Sequence, residues 1–452
     1  MRKVEYFVVE IAAYLVFSES LVPDVRKRYD DTADVTNGIR KIANGAREER
    51  MKVGKSRKLL SLVTASLLVA ALATAGCGTA AQPGGGAGEE VVTVKLGIGA
   101  PLTQGAVALG QGIQRGAQLA IDDFNASPEA QELGIQVEAF VVDDQGDPKV
   151  GMNVANQLVS DPDVIGVVGH LNSGVSIPTS DVYGRAGIVQ ISPASTNPAL
   201  TLDQKYGNVF RVCTTDPVQG AYAAEAALTR IGWNTAFVVD DSTPYGEGLA
   251  DEFVKNFEAG GGEILGRQKT GDRDTDFNAL VTRIRAANPD FIYYGGIYTA
   301  GALFARQAAE AGFEGGFFSG DGIYSPDYIA LAGDSSEGNF ATSVGLPLAQ
   351  QPQGTEFKEK FAAEFPNEDI QAYDTYAYDA AFVILEALKV VAADLGVDQL
   401  TSAEGKAAII EAVAATNLEG ITGAIAFDEN GDTTNKAITL YTVRNGEWVA
   451  YE

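Results

Sequence analysis

The chain has 452 residues, 46% of them apolar, and a formal charge of -27 from 33 basic and 60 acidic side chains. That length accommodates two or three domains, and so acidic a surface repels phosphate backbones, which argues against a nucleic-acid partner. The two cysteines, Cys77 and Cys213, cannot build a disulfide framework or a cysteine-based zinc site.

The run MKVGKSRKLLSLVTASLLVAALATAGC, Met51 to Cys77, opens with four basic residues, continues through an apolar stretch from Leu59 to Ala73 and closes on small residues. That is the layout of a secretory signal. Its end, Thr74-Ala75-Gly76-Cys77, resembles a bacterial lipobox, which implies that Cys77 takes lipid and becomes the mature N-terminus. Thr74 stands where the usual residue is Leu. The alternative is an uncleaved anchor, since the apolar run approaches spanning length. Either way the rest of the chain is expected outside the cytoplasm and tethered to a membrane. A secretory signal ordinarily begins a protein, so translation is expected to start at Met51, with residues 1–50 an untranslated upstream extension. The part after the signal carries 20 basic and 51 acidic residues. Residues 78–91 are mostly Gly and Ala without periodicity and read as a flexible tether.

From Val92 onward short apolar runs alternate with amphipathic segments. VTVKLGIGA, IQVEAFVVDD, DVIGVVG and AGIVQIS read as strands, with helices over 111–125 and 150–160 between them. The pattern restarts with TAFVVDD, a helix over 246–258, EILGRQKT, a helix near 277–287, and DFIYYGG. Apolar runs of this length bounded by Gly, Asp and Pro suit buried parallel strands. The alternation predicts an α/β fold with doubly wound parallel sheets, and about 360 residues of it predicts two lobes rather than one core. Ligands of such sheets bind beyond the carboxyl ends of strands. The segments of interest are therefore HLNSG, SPASTNP, DDSTPYGEG, GGIYTAG and GDGIYS.

Enzyme signatures are sparse. HLNSG holds His170, the only histidine, three residues before Ser173, but it lacks a G-x-S-x-G elbow and a third group to orient the base. A structural role is expected for His170. A secreted hydrolase acting through Ser173 stays as an alternative; it requires turnover that Ser173→Ala abolishes. DDQGDP, 143–148, reads as a strand-terminating turn or as oxygen ligands. DENGD, 428–432, lacks the Gly and Glu of a calcium loop and reads as a hairpin turn. No phosphate-binding loop is present, and no cofactor or metal is expected. Cys213, in VFRVCTTD, reads as an inert buried thiol.

The loops suit a small zwitterion better. Hydroxyls of Ser173 and Thr196, placed after strands where helices are expected to begin, can hold a carboxylate or simply cap those helices. Asp321, in FFSGDGIY, can pair with an ammonium group, and Tyr245 and Tyr298 can wall an apolar pocket.

In GHLNSGVSIPTSDVYGRAGIVQISPASTNPALT, PYGEGLA, DFIYYGG and the acid-Gly turn at Asp321, taken in order, the chain resembles the type I periplasmic binding proteins of the leucine/isoleucine/valine-binding family. The similarity runs from Val92 to Tyr451. The resemblance implies two lobes, 92–216 with 346–437 and 217–345 with 438–452, that close on a ligand. It places the crossings near Thr214 to Val218, Phe340 to Leu346 and Lys436 to Thr439. It implies that Ser173, Ala194 (through its backbone) and Thr196 hold the ligand's charged groups, that Tyr245 and Tyr298 cover it, and that Asp321 pairs with its ammonium. Leu109 is the nearest match to an aromatic residue that relatives set against the ligand side chain. Gly146 and Asn172 stand where some relatives carry a disulfide, and Asp321 is shorter than their Glu. The expected function is a monomeric, lipid-anchored, extracytoplasmic binder of a branched-chain or similar aliphatic amino acid that serves an ABC-transporter permease and performs no catalysis. The family also holds binders of amides, urea and aromatic acids, which remain the alternative.

Overall fold

A computed structural model describes residues 91–452; the signal sequence, Cys77 and the tether through residue 90 lie outside the described residues. The first sheet contains β1 (Val92–Ala100), β2 (Ile135–Asp143), β3 (Val164–Gly169), β4 (Val189–Ser192) and β5 (Val209–Arg211), in the order β2-β1-β3-β4-β5. All of its pairings are parallel. The second sheet holds β6 (Thr235–Asp240), β7 (Glu263–Lys269), β8 (Phe291–Gly295), β9 (Gly316–Ser319) and β10 (Phe340–Val344), extended by β13 (Ile438–Arg444) and β14 (Glu447–Ala450). Its order is β14-β13-β10-β9-β8-β6-β7. The β10–β13 and β13–β14 pairs are antiparallel. A small hairpin, β11 (Asn417–Gly420) with β12 (Gly423–Ala426), stands apart.

The β1–β5 and β6–β10 series share one winding order. In each, the strand order reverses direction beside the first strand, between β1 and β3 and between β6 and β8. Loops leaving those neighbouring strands diverge and open a crevice at the carboxyl edge, which is where ligands of such sheets sit. The chain passes between the sheets three times: after β5, after β10, and before β13.

The first crevice is flanked by α1 (Val107–Ala126), which packs along α12 (Asp374–Leu395), a helix from the second half of the chain. Two glycines of α1 permit that approach. A Cβ at Gly116 would fall 2.0 Å from the Asp374 carbonyl, and one at Gly112 would fall 2.7 Å from Asp374 Oδ2. The α1 helix starts at Val107, four residues before the predicted start, and the Gly110 amide already bonds the Ala106 carbonyl at 2.9 Å.

The turns read from sequence behave as turns. Asp147 caps α3 (Pro148–Ser160) by accepting from the Lys149 and Val150 amides. A Cβ at Gly146 would lie 3.3 Å from Asn172 Oδ1, so the two turns that relatives can join by a disulfide adjoin here without one. At 428–432 the Gly431 and Asp432 backbones close a turn on Asp428. Its Asp432 does more than turn the chain: it meets the fully buried Arg211 guanidinium at 2.5 Å. Arg211 also donates to the Ser195 and Asn197 carbonyls, each at 2.8 Å, and to Thr201 Oγ1. One buried cation thus ties the loop after β4 to the segment preceding β13. Among the described residues no helix is long and apolar enough to cross a membrane.

Candidate functional site

Between the two sheets lies an inner void of about 20 Å³, lined by Leu109, Leu171, Asn172, Ser173, Ala194 and Tyr245, with Ile297, Gly322 and Tyr373 completing it. Four of the residues predicted from sequence therefore converge on one space, from the segments that follow β3 and β4 and from α1 and α7 (Pro244–Ala259). The remaining three take different places. Asp321 stands behind Gly322 on a 3-10 turn, Asp321–Ile323, that follows β9. Tyr298, the first residue of α9 (Tyr298–Glu310), spans the crevice and accepts the Ala108 amide on its hydroxyl at 3.2 Å. Thr196 lines neither this void nor the pocket outside it.

The capping alternatives for Ser173 and Thr196 are both corrected. Ser173 is the first residue within α4 (Ser173–Arg185), with Asn172 at the cap position, and its hydroxyl accepts the Asn197 amide at 3.3 Å. Thr196 begins no helix; the next one, α5, covers only Ala199–Leu202. The Pro198 ring and the Arg211 bonds hold 195–198 as an irregular loop instead. The Thr196 hydroxyl is buried and has no hydrogen-bond partner.

Asp321 is fully buried, and burial pushes its carboxyl above the usual range. Two phenols counter that. Tyr245 donates to Oδ1 at 2.9 Å and accepts the Gly322 amide at 2.9 Å, while Tyr373 donates to Oδ2 from the opposite lobe. A carboxylate so placed has hydroxyl donors but no cation beside it, and a positively charged group entering there would gain a strong charge-assisted bond. Tyr373 escaped sequence reasoning: it precedes α12 and lies 52 residues from Asp321, and no spacing rule links them.

A second unforeseen carboxylate is Asp216, first residue of α6 (Asp216–Glu225). Neither of its oxygens has a partner. Burial pushes it up to about 8, with the Thr196 hydroxyl beside it pulling the other way and Asp321 adding repulsion.

Outside the void a pocket of about 530 Å³ opens toward solvent, sharing Asn172, Ser173, Tyr245 and Ile297 with it. Three further bonds cross between the lobes: Asn197 Nδ2 to the Pro244 carbonyl at 2.7 Å, Arg273 to Gln104 Oε1 at 3.4 Å, and Ser325 Oγ to Gln371 Oε1 at 2.8 Å. The lobes are in a closed arrangement. The inner void has room for about one water, so admitting anything larger requires the lobes or the Tyr373 side chain to move.

His170 is not part of this site. Its Nδ1 lies 2.6 Å from Asp144 Oδ2 and its Nε2 2.9 Å from the Tyr183 hydroxyl, and the ring is wholly buried. No ring nitrogen is left for Ser173. Its carbonyl gathers the hydroxyls of Ser176, Ser192 and Ser195, which fixes the strand ends that carry Ser173 and Ala194. Cys213 is buried, and burial pushes its thiol far up. Among the described residues no group of three or more His, Cys, Asp or Glu side chains is placed to hold a metal.

Two winding-order crevices facing each other across a closable gap define a bilobal binding protein. The periplasmic binding protein family model matches residues 93–447. A Leu/Ile/Val-binding protein homolog 2 of Brucella abortus is 33% identical over 361 residues, covering 80% of this chain and 93% of the relative. A leucine-, isoleucine-, valine-, threonine- and alanine-binding protein of Pseudomonas aeruginosa is 33% identical over 352 residues, covering 77% and 89%. A crystal structure of a leucine-binding protein from Thermotoga maritima superposes with a TM-score of 0.72 at 29% identity, over 79% of this chain and 98% of that one. The chain belongs to the type I periplasmic binding proteins of the Leu/Ile/Val-binding family.

Proposed function

We propose that this protein captures a branched-chain or similar aliphatic amino acid between its lobes and delivers it to the permease of an ABC importer. The observation that carries the reading is the pairing of a buried, cation-free carboxylate, Asp321, with an aliphatic and aromatic wall of Leu109, Leu171 and Tyr245. An amino acid offers the matching parts: an ammonium for Asp321 and a branched side chain for Leu109. The Ser173 hydroxyl, the Ala194 backbone and the unpartnered Thr196 hydroxyl are the groups for the ligand's polar end, and Tyr245 and Tyr298 cover it. Relatives named for binding leucine, isoleucine and valine support the same class.

Binding requires no covalent step; the ligand stabilises a closed state in which Tyr373 has yielded Asp321 to it, by bridging residues 92–216 with 346–437 to residues 217–345 with 438–452. The three crossings near Thr214 to Val218, Phe340 to Leu346 and Lys436 to Thr439 serve as hinges. The protein works as an extracytoplasmic monomer held to the membrane through lipid on Cys77. Isothermal calorimetry with L-leucine, L-isoleucine and L-valine, set against simple amides and benzoate, tests the reading. Saturable heats from the amino acids are expected; heats from amides or benzoate alone refute it.

A further inference from the structure

On another side of the lobe junction lies a separate cavity of about 590 Å³, within the range of small-molecule sites. Tyr324, Tyr441 and Trp448 supply an aromatic wall, with the Tyr324 and Tyr441 ring centroids 4.2 Å apart and Tyr324 5.7 Å from Trp448. Ile329, Val344 and Leu346 add aliphatic surface. Glu447 is the one charged side chain in the lining, and it is exposed. Gln351 spends its amide N–H on the Leu346 carbonyl, which leaves its buried Oε1 without a partner. An aromatic ring with one hydroxyl donor matches this set: the ring for the Tyr and Trp faces, the donor for Gln351. An anion does not match, because nothing basic lines the cavity.

The walls of this cavity continue into the Tyr373–Asp321 contact from both sides. Gln371, Ala372 and Tyr376 line it from the first lobe and flank Tyr373 in the chain. Tyr324 lines it from the second lobe and closes its turn on the Asp321 carbonyl at 3.0 Å. An occupant touching both walls favours the arrangement in which Tyr373 sits on Asp321. In that arrangement the inner void holds no more than about one water and Asp321 is engaged by phenols. We infer that the hinge-side cavity is an inhibitory site for a small neutral aromatic alcohol, which opposes amino-acid capture by keeping Tyr373 on Asp321. The site itself stands on the cavity alone; its antagonism rests on the function proposed above.

Benzyl alcohol is the probe. The chain has two tryptophans, Trp233 and Trp448, so Trp233→Phe leaves Trp448 as the reporter within the cavity wall. Saturable quenching of Trp448 is expected. It should persist in Asp321→Ala and disappear in Ala330→Phe or Leu346→Phe, two plugs at exposed lining positions that add no second tryptophan, with thermal melts confirming that each variant folds. By linkage, benzyl alcohol should weaken L-leucine binding on the order of fivefold, leucine should weaken benzyl alcohol by the same factor, and Tyr373→Phe should abolish both effects. No saturable quenching, or quenching lost in Asp321→Ala and kept in both plugs, overturns the site. Unchanged or tightened leucine binding overturns the antagonism. If leucine gives no heat at all, the proposed function and the antagonism fall together, while the fluorescence measurement still decides the cavity.

Discussion

The Tyr245 hydroxyl holds Asp321 Oδ1 at 2.9 Å while the Gly322 amide holds the hydroxyl at the same distance, which fixes the carboxylate in the crevice between the lobes. Tyr373 holds the other oxygen from across the gap. The carboxylate is thus oriented by one lobe and contested by the other.

Replacing Asp321 by Ala should weaken L-leucine binding by about 2–5 kcal/mol, the usual loss when one partner of a buried charge pair is truncated. Calorimetry reads it directly; an affinity within twofold of the parent protein would remove Asp321 from the site.

Tyr373→Phe should act in the opposite direction. The phenol and the ligand ammonium compete for one carboxylate oxygen, so deleting the hydroxyl should tighten leucine binding by about 1 kcal/mol, the net worth of a typical hydrogen bond. Weaker binding in this variant would mean that the hydroxyl contacts the ligand instead of excluding it.

Arg211 braces the loop that carries Ala194 and Thr196 through the Ser195 and Asn197 carbonyls. Arg211→Met leaves Asp432 without its cation and should cost about 3–5 kcal/mol in a urea titration, as expected on breaking a buried pair. Arg211→Lys keeps the charge but cannot reach both carbonyls and Asp432 in one planar fork, so its stability should fall between the two. A lysine variant as stable as the parent would show that charge alone, not the fork, holds the loop.

Asp216 gives a pH signature. Its carboxyl stands at about 8 in the fold against 3.8 for the ordinary group. Between those values the folded state holds a proton that the unfolded state has released. The group's contribution is therefore fully favourable below about pH 4 and is lost as pH rises through about 8. The thermal midpoint should drop over that window, and Asp216→Asn should flatten the drop. Parallel curves for the two proteins would clear Asp216 of this role.

Cys77→Ser should move the protein from the membrane fraction to the soluble one and abolish incorporation of labelled fatty acid. Retention on membranes in the variant would favour an uncleaved apolar anchor.

Much of the fold was legible because its signals are local. Buried parallel strands appear as short apolar runs, and doubly wound sheets follow from strand–helix alternation with right-handed crossovers. The loops after the strands were legible as the ligand-facing edge for the same reason. Helix starts were read less well. Val107 lies ahead of the predicted start, and the loop at Thr196 is held irregular by Arg211, whose partner Asp432 is 221 residues away.

By itself the sequence determined the α/β class and the set of strand-end residues from which a site could be made, since each depends on neighbours within a few positions. It also determined the bilobal division, since the length of the alternation exceeds one core. Only the tertiary structure decided which of those residues meet. It brought Leu109, Ser173, Ala194 and Tyr245 around one void, set Thr196 outside it, and placed Tyr373 on Asp321. The reason is physical: hydrogen bonds and burial act over a few ångströms in space, whatever the separation along the chain.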